Sequence, residues 1–200
     1  MAQSEKTLAQ AFARRRTGRR FTGAAVSLPA LGRLLWAAQG ITGPDGRRTA
    51  PSAHALHPLR LIVLAQRIDG LGAGSYQVNP HDLSLARCVG RNLLPALRQT
   101  AIGDQSWISE AACVVAVCAN MNAASEAFAE QKPVRQRGAR YVYLEAGAAA
   151  QNLQLQAVAE ELSIVWVGGF DDEAAAEVLG LQNGLSPILL LCVGHPAGEA

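Results

Sequence analysis

The chain predicts one domain of mixed helices and strands organised around a single buried helix, on three observations. Residues 141–159, YVYLEAGAAAQNLQLQAVA, place apolar side chains on nearly every face of a helix instead of along one stripe, which marks a buried helix. Apolar runs at 59–65, 114–118, 163–167 and 187–193, with a shorter one at 76–78, have the length and branched content of strands. Periodic segments at 6–16, 28–39, 91–100 and 172–179 read as shorter helices separated by Gly- and Pro-bearing turns.

In the central helix Leu144, Ala148, Leu155, Val158 and, just beyond it, Leu162 recur at helical spacing, and the small run from Gly147 to Ala150 lets another backbone approach closely. Glu145 and the amides Gln151, Asn152, Gln154 and Gln156 interrupt it well short of the ~20 apolar residues a membrane span requires. Buried amides need partners, so these are expected to bridge neighbouring backbone, with a ligand contact from Asn152 as the lesser reading.

Two hundred residues, half of them hydrophobic and 17% charged, are an ordinary globular balance with room for one substantial core and neither linker nor repeat. The start, MAQSEKTLAQAFARRR, has no apolar run ahead of a cleavage site, and a cytoplasmic protein is expected. Cys88, Cys113, Cys118 and Cys192 are widely spaced and mostly inside apolar runs, which fits reduced thiols better than disulfides or a zinc site. Net charge is +2, but all 18 Lys and Arg residues and 8 of the 16 acids precede position 141, so the first part carries +10 and the rest −8. The arginines are dispersed and aromatics are 5%, without a stacking or recognition-helix motif, so a small anionic ligand is the better expectation than nucleic acid.

The first helix, with Leu8, Ala11 and Phe12 on one side, runs into RRRTGRRF, which puts five arginines in the seven positions 14–20. The run reads as a solvated basic face or targeting patch, or as a phosphate clamp in which guanidinium forks and the Thr17 hydroxyl bind anionic oxygens and Gly18 lets the backbone bend. Ser27 caps the next helix, Pro29 sits in its first turn, Leu31, Leu34, Leu35 and Trp36 form its buried face, and Gly40 ends it. The Gly- and Pro-rich stretch 40–58 is long for a loop and is a candidate functional segment, in which Pro51-Ser52-Ala53 offers backbone and one hydroxyl to a flat ligand. His54 and His57 lack a third metal ligand nearby and read as surface or core histidines. Residues 59–65 and 76–78 form a hairpin, and Pro95 starts or kinks the helix at 91–100. Residues 126–140 read as helix or loop, a candidate flap over a pocket. Asp171 caps the helix that follows Gly168-Gly169, and the glycines serve either a turn with positive φ or a ligand at a helix N-terminus.

RRTGRRF, LLWAAQGITG followed by PSAHALHP, LEAGAAAQNLQLQA and VGGFDD stand in the order found in the FMN-dependent nitroreductase family, which this chain resembles over nearly its whole length. TGPDGRRTAPSA, the doubled glycine and the VGHP ending look closest to the branch of SagB-type azoline dehydrogenases. The resemblance implies an α+β three-layer sandwich with a central mixed or antiparallel sheet, a long central helix at a dimer interface, and a homodimer with two FMN molecules between the chains. It assigns Arg15, Arg16, Thr17 and Arg19 to the FMN phosphate and ribityl chain. Pro51, Ser52, Ala53 and Ala55 would reach the flavin from the partner chain, Gly168 and Gly169 would lie along its edge near N5, and Gln105 is a further candidate for that edge.

Three positions depart from the pattern. Trp166 stands where many relatives have proline, no basic residue lies near the C-terminus, and Lys132 precedes Pro133 where the azoline dehydrogenases carry Lys-Tyr. The implied activity is hydride transfer from NAD(P)H through FMN to a small nitroaromatic or quinone-like acceptor, with no side chain marked as acid or base. A dehydrogenase of a peptide or natural-product intermediate and a flavin-binding protein without turnover are the alternatives.

Overall fold

The unbroken apolar runs of the sequence form the middle of a six-stranded antiparallel sheet in the computed structural model, which describes residues 6–198. In chain order the strands are β1 (Val26–Ser27), β2 (Leu59–Ala65), β3 (Ile68–Asp69), β4 (Gly74–Val78), β5 (Leu85–Val89), β6 (Cys113–Asn120), β7 (Ser163–Val167) and β8 (Leu185–Gly194). The sheet order is β5-β4-β2-β6-β8-β7, and the short strands β1 and β3 pair in parallel outside it. Strands β2, β6 and β8 are covered on both faces, which is why they read as continuous apolar runs and not as alternating ones. Leu61, Val63, Val115, Val117, Leu191 and Val193 enter one core cluster, while Leu64, Val114, Ala116, Leu190 and Cys192 enter the other.

The helices are α1 (Leu8–Arg14), α2 (Leu28–Gln39), α3 (Leu94–Gln99), α4 (Trp107–Glu110), α5 (Met121–Ala127), α6 (Arg137–Ala159) and α7 (Asp172–Leu179). Leu31, Leu34 and Leu35 of α2 and Val142, Ala146, Ala149, Ala150, Leu153 and Ala157 of α6 pack on the first face. Leu94, Leu97, Ile108, Ala175 and Leu179 bring α3, α4 and α7 onto the second. The result is the α+β three-layer sandwich. Each fully buried Leu or Val contributes roughly 1.5–3 kcal/mol relative to exposure.

The predicted caps are present. Ser27 Oγ accepts from Ala30 N at 3.2 Å, and Asp171 Oδ1 accepts from Ala174 N at 2.9 Å. The helix expected over 91–100 is shorter, because Asn92 turns its side chain to accept from Leu94 N at 3.0 Å and ends the preceding loop there. Strand β5 was not foreseen: it is an edge strand with its middle residues exposed, so it carries no burial pattern to read. Residues 126–140 are the end of α5, a turn and the first residues of α6. Phe128 is buried and stacks edge-on against Tyr141, whose hydroxyl donates to Gln131, so the segment is tied to the body and is no open flap. Gly138 is required there, since a Cβ would lie 2.3 Å from the Ala124 carbonyl oxygen.

The central helix is not buried all round. Tyr143 and Leu144 are 58% and 65% exposed, and Ala148, Gln151 and Leu155 continue a half-buried stripe from Leu144 at helical spacing. Trp36, expected in the buried face of α2, is 50% exposed, and Leu8 and Phe12 of α1 are exposed as well. Apolar residues at helical spacing read as core from sequence whether or not the chain itself buries them.

Candidate active site

After α1 the chain runs extended along the edge strand β7, with Thr17 bridging Ile164 in parallel and Gly18 N donating to the Ile164 carbonyl at 3.1 Å. A Cβ at Gly18 would lie 1.8 Å from Ser163 Oγ, and its φ is not in the left-handed region, so this glycine serves close approach and not the expected bend. Docked by its backbone, the turn leaves Arg16, Thr17, Arg19 and Arg20 exposed and Arg15 half-buried. Arg16 Nη1 donates to the carbonyls of Ala13 and Arg15 at 3.0 and 2.8 Å, and the Arg19 guanidinium lies 5.5 Å from the Trp107 ring centroid. Among the described residues no carboxylate pairs with any arginine from 14 to 20. The acids at the end of α6 have other partners: Glu161 meets Lys6 at 3.4 Å, and Glu160 takes a bidentate pair from Arg33 at 2.7 Å on each oxygen. That Arg33 bond holds the Glu160 carboxyl below the usual range against the cost of burial. Arg14 and Arg16 line a groove of about 880 Å³, and Thr17, Gly18, Arg19 and Arg20 an adjoining one of about 230 Å³.

Strand β7 leads from this turn to Gly168 and Gly169. Neither has a positive φ, which removes the turn-geometry explanation. A Cβ at Gly168 would meet nothing within 4 Å, and one at Gly169 would find ordinary contacts only, Gln105 Nε2 at 3.6 Å and Ile102 at 3.8 Å. The chain's own packing therefore does not demand glycine at either position. The Gly169 carbonyl accepts from Ile102 N at 2.9 Å and from Gln105 Nε2 at 2.8 Å, which places Gln105 beside the glycine pair. Ile102, 70% exposed beside Gly169, and Trp107 under Arg19 were not singled out from sequence; an exposed large apolar residue has no sequence signature.

Pro51, Ser52, Ala53 and Ala55 lie in a different place. The loop makes a 3-10 turn over Ala53–Ala55 with positive φ at His54, Ala55 and His57. Ser52 Oγ accepts from His57 N at 2.9 Å, and Ser52 and Glu145 line the same small pocket beneath the loop. Pro51 and Ala55 remain exposed, and with Arg47, Arg48 and His57 the loop lines its own cavity of about 230 Å³. The adjacent arginines part company: Arg47 is exposed and pairs with Asp45 at 2.7 Å, while Arg48 turns in and donates to the Gln39 carbonyl at 3.0 Å. Burial, then Arg48 and Arg60, lowers the His57 pKa, and His54 stacks edge-on against Phe128. Among the described residues no three His, Cys, Asp or Glu side chains cluster as metal ligands.

Helix α6 separates the two regions. Its amides bridge backbone as the sequence suggested: Asn152 Nδ2 donates to the Thr49 carbonyl at 3.0 Å and Gln154 Nε2 to the Arg16 carbonyl at 3.3 Å. Residues two apart on a helix point roughly 200° from each other, so the loop side and the arginine side lie on opposite faces of α6. Within one chain the structure joins Arg15, Arg16, Thr17, Arg19, Gln105, Gly168 and Gly169 along β7, and leaves Pro51, Ser52, Ala53 and Ala55 outside that group.

Known proteins share this arrangement of sequence and fold. The nitroreductase family model matches residues 12–195. A protein of Methanocaldococcus jannaschii with a provisional nitroreductase name is 32% identical over 191 residues, 96% of this chain and 92% of its own. Among solved structures, a protein of Ralstonia eutropha provisionally named a nitroreductase superposes with a TM-score of 0.81 at 26% identity, covering 100% of this chain and 87% of that one. A similarly named protein of Anabaena variabilis gives 0.80 at 26% identity over 94% of this chain, which spans only 38% of that longer protein. A family model that covers most of the chain, together with a full-length relative and a matching three-layer fold, establishes that the chain belongs to the nitroreductase family of oxidoreductases.

Proposed function

We propose that the chain is an FMN-dependent oxidoreductase that works as a homodimer and passes reducing equivalents from NAD(P)H to a small electrophilic acceptor. The observation that carries this reading is the set of arginines from 14 to 20, uncompensated by any described carboxylate and pinned by the Thr17–Ile164 bridge to the strand that ends in two glycines the fold itself does not need. A terminal monophosphate suits the first, because guanidinium forks bind phosphate oxygens bidentately. A flat ring laid against bare backbone suits the second. No G-x-G-x-x-G turn for a dinucleotide occurs in the chain, which favours FMN over FAD.

On this reading Arg15, Arg16, Thr17 and Arg19 bind the phosphate and ribityl end, Gly168 and Gly169 offer backbone N–H groups to the ring edge, and Gln105 fixes the Gly169 peptide. FMN supplies the redox chemistry, and the protein supplies position and electrostatics. The Leu144–Ala148–Gln151–Leu155 stripe and Trp36 form the surface that a second copy would cover, bringing Pro51, Ser52, Ala53 and Ala55 to the partner's flavin. TGPDGRRTAPSA and the VGHP ending point to the SagB-type branch, while Lys132-Pro133 in place of Lys-Tyr argues against azoline oxidation.

The purified protein is expected to be yellow, to release FMN identified by mass spectrometry, and to bleach with NADH or NADPH before a soluble acceptor restores the colour. Colourless protein that takes up no added FMN would overturn the reading.

A further inference from the structure

One short segment, residues 105–110, touches both the glycine pair and the arginine turn. Gln105 Nε2 donates to the Gly169 carbonyl at 2.8 Å, and two residues on, the Arg19 guanidinium lies over the Trp107 ring, 5.5 Å from its centroid. The segment is firmly seated. Ile108 N donates to the Gln105 carbonyl at 3.1 Å, Ala111 N to that of Trp107 at 3.0 Å, and Ile108 is fully buried in the second core cluster, against which Trp107 also packs. Arg67 Nη2 donates to the Glu110 carbonyl at 2.6 Å and to that of Thr22 at 3.5 Å, which ties the end of α4 to the chain just past the arginines. Asp104, three residues ahead of Trp107, pairs with Arg98 at 2.8 Å. The group that meets Arg19 is therefore an aromatic face and not a carboxylate.

We propose that Trp107 is a positioning residue that acts through Arg19: its ring carries the guanidinium in place for the anionic end of the ligand. The proposal rests on the FMN reading above. A carboxylate would hold an arginine by engaging its N–H donors and cancelling its charge, whereas an aromatic face attracts the cation and leaves the N–H fork free. An exposed arginine gives up rotamer freedom when it binds an anion, and a ring that already restricts it lessens that loss. Arg16 is placed in another way, by its own donors on the Ala13 and Arg15 carbonyls at 3.0 and 2.8 Å, so the task of Trp107 concerns Arg19 in particular.

A double-mutant cycle on FMN affinity, read by flavin fluorescence, tests the coupling. Trp107→Leu should weaken FMN binding about two- to fivefold, the scale of an exposed cation–π contact, and should cost nothing further in an Arg19→Ala chain. Trp107→Phe keeps an aromatic face and should lose less than Trp107→Leu. Additive losses, an unchanged Leu variant, or a Phe variant as weak as the Leu variant would overturn the proposal. The flavin-free protein gives a second measurement that keeps Trp107 in place, so it does not depend on whether the Leu variant folds. The chain has three tryptophans, and Trp36→Phe with Trp166→Phe leaves Trp107 as the one that fluoresces. In that background Arg19→Ala should uncover the ring and raise its quenching by acrylamide, and an unchanged quenching constant would overturn the proposal. An unchanged chain that binds no FMN at all would instead defeat the functional reading, with the quenching comparison still deciding whether Trp107 carries Arg19.

Discussion

The arginine turn at 14–20 and the loop at 51–57 face opposite sides of α6, and they are built in opposite ways. The turn is fastened by backbone, through Thr17 and Gly18 to Ile164, and leaves its charged side chains outside. The loop is fastened by side chains, through Ser52 to the His57 N–H and through His54 to Phe128, and leaves Pro51 and Ala55 exposed. A region that binds an anion needs free guanidinium groups, whereas one that lies against a flat ring needs peptide groups with no bulk in front. On the proposed reading the difference matches an anion to the first region and a flat ring to the second.

The sharpest break of that comparison asks whether the two regions serve one site from different chains. Arg15→Glu with Arg19→Glu should abolish FMN binding, and so should Ser52→Trp with Ala53→Trp. Refolded together, the two double variants should recover about a quarter of all sites, because random pairing gives half mixed dimers and each has one intact site. Bound flavin in the mixture against each variant refolded alone measures this. No recovery in a sample shown to be dimeric by sedimentation would mean that the site is not shared.

A smaller effect tests the turn alone. Arg19→Ala should weaken FMN binding by about 1.5–3 kcal/mol, and the loss should shrink as salt is added. Equal affinity in a flavin titration would return Arg19 to its Trp107 contact as its whole role.

The smallest effect distinguishes the two carboxylates of α6. Glu160 is held below its unfolded pKa, so its contribution to stability is present above about pH 4.3 and is lost as the pH falls through the folded value. Glu145 is held above it, so its contribution is present below about pH 4.3 and is lost as the pH rises through its folded value. Glu160→Gln should therefore lower stability at neutral pH, by about 1 kcal/mol for a partly exposed pair, and flatten the acid limb of a denaturation profile. Glu145→Gln should instead leave the acid limb in place and remove a loss of stability on the way to neutral pH. The same slope change in both variants would show that the two sites are not electrostatically distinct.

Sequence alone determined the elements whose burial lies within the chain. The runs 59–65, 114–118 and 187–193 had to be central strands because both their faces are apolar, and Ser27 and Asp171 had to be caps because each precedes a helix with orphan N–H groups. Edge strand β5 was invisible because its exposed residues follow no period, and Trp36 and Leu144 looked like core because apolar residues at helical spacing read as core whether or not the chain buries them. For the site, local sequence named the arginines, the glycine pair and the PSA run. Tertiary structure alone decided that Gly18 answers to Ser163, that Gly168 and Gly169 are not needed by the chain's own packing, that Ser52 and Glu145 line one pocket, and that α6 stands between the two regions. Each is a relation between residues far apart in the chain, set by how α6 and β7 pack, and no window of sequence contains both partners.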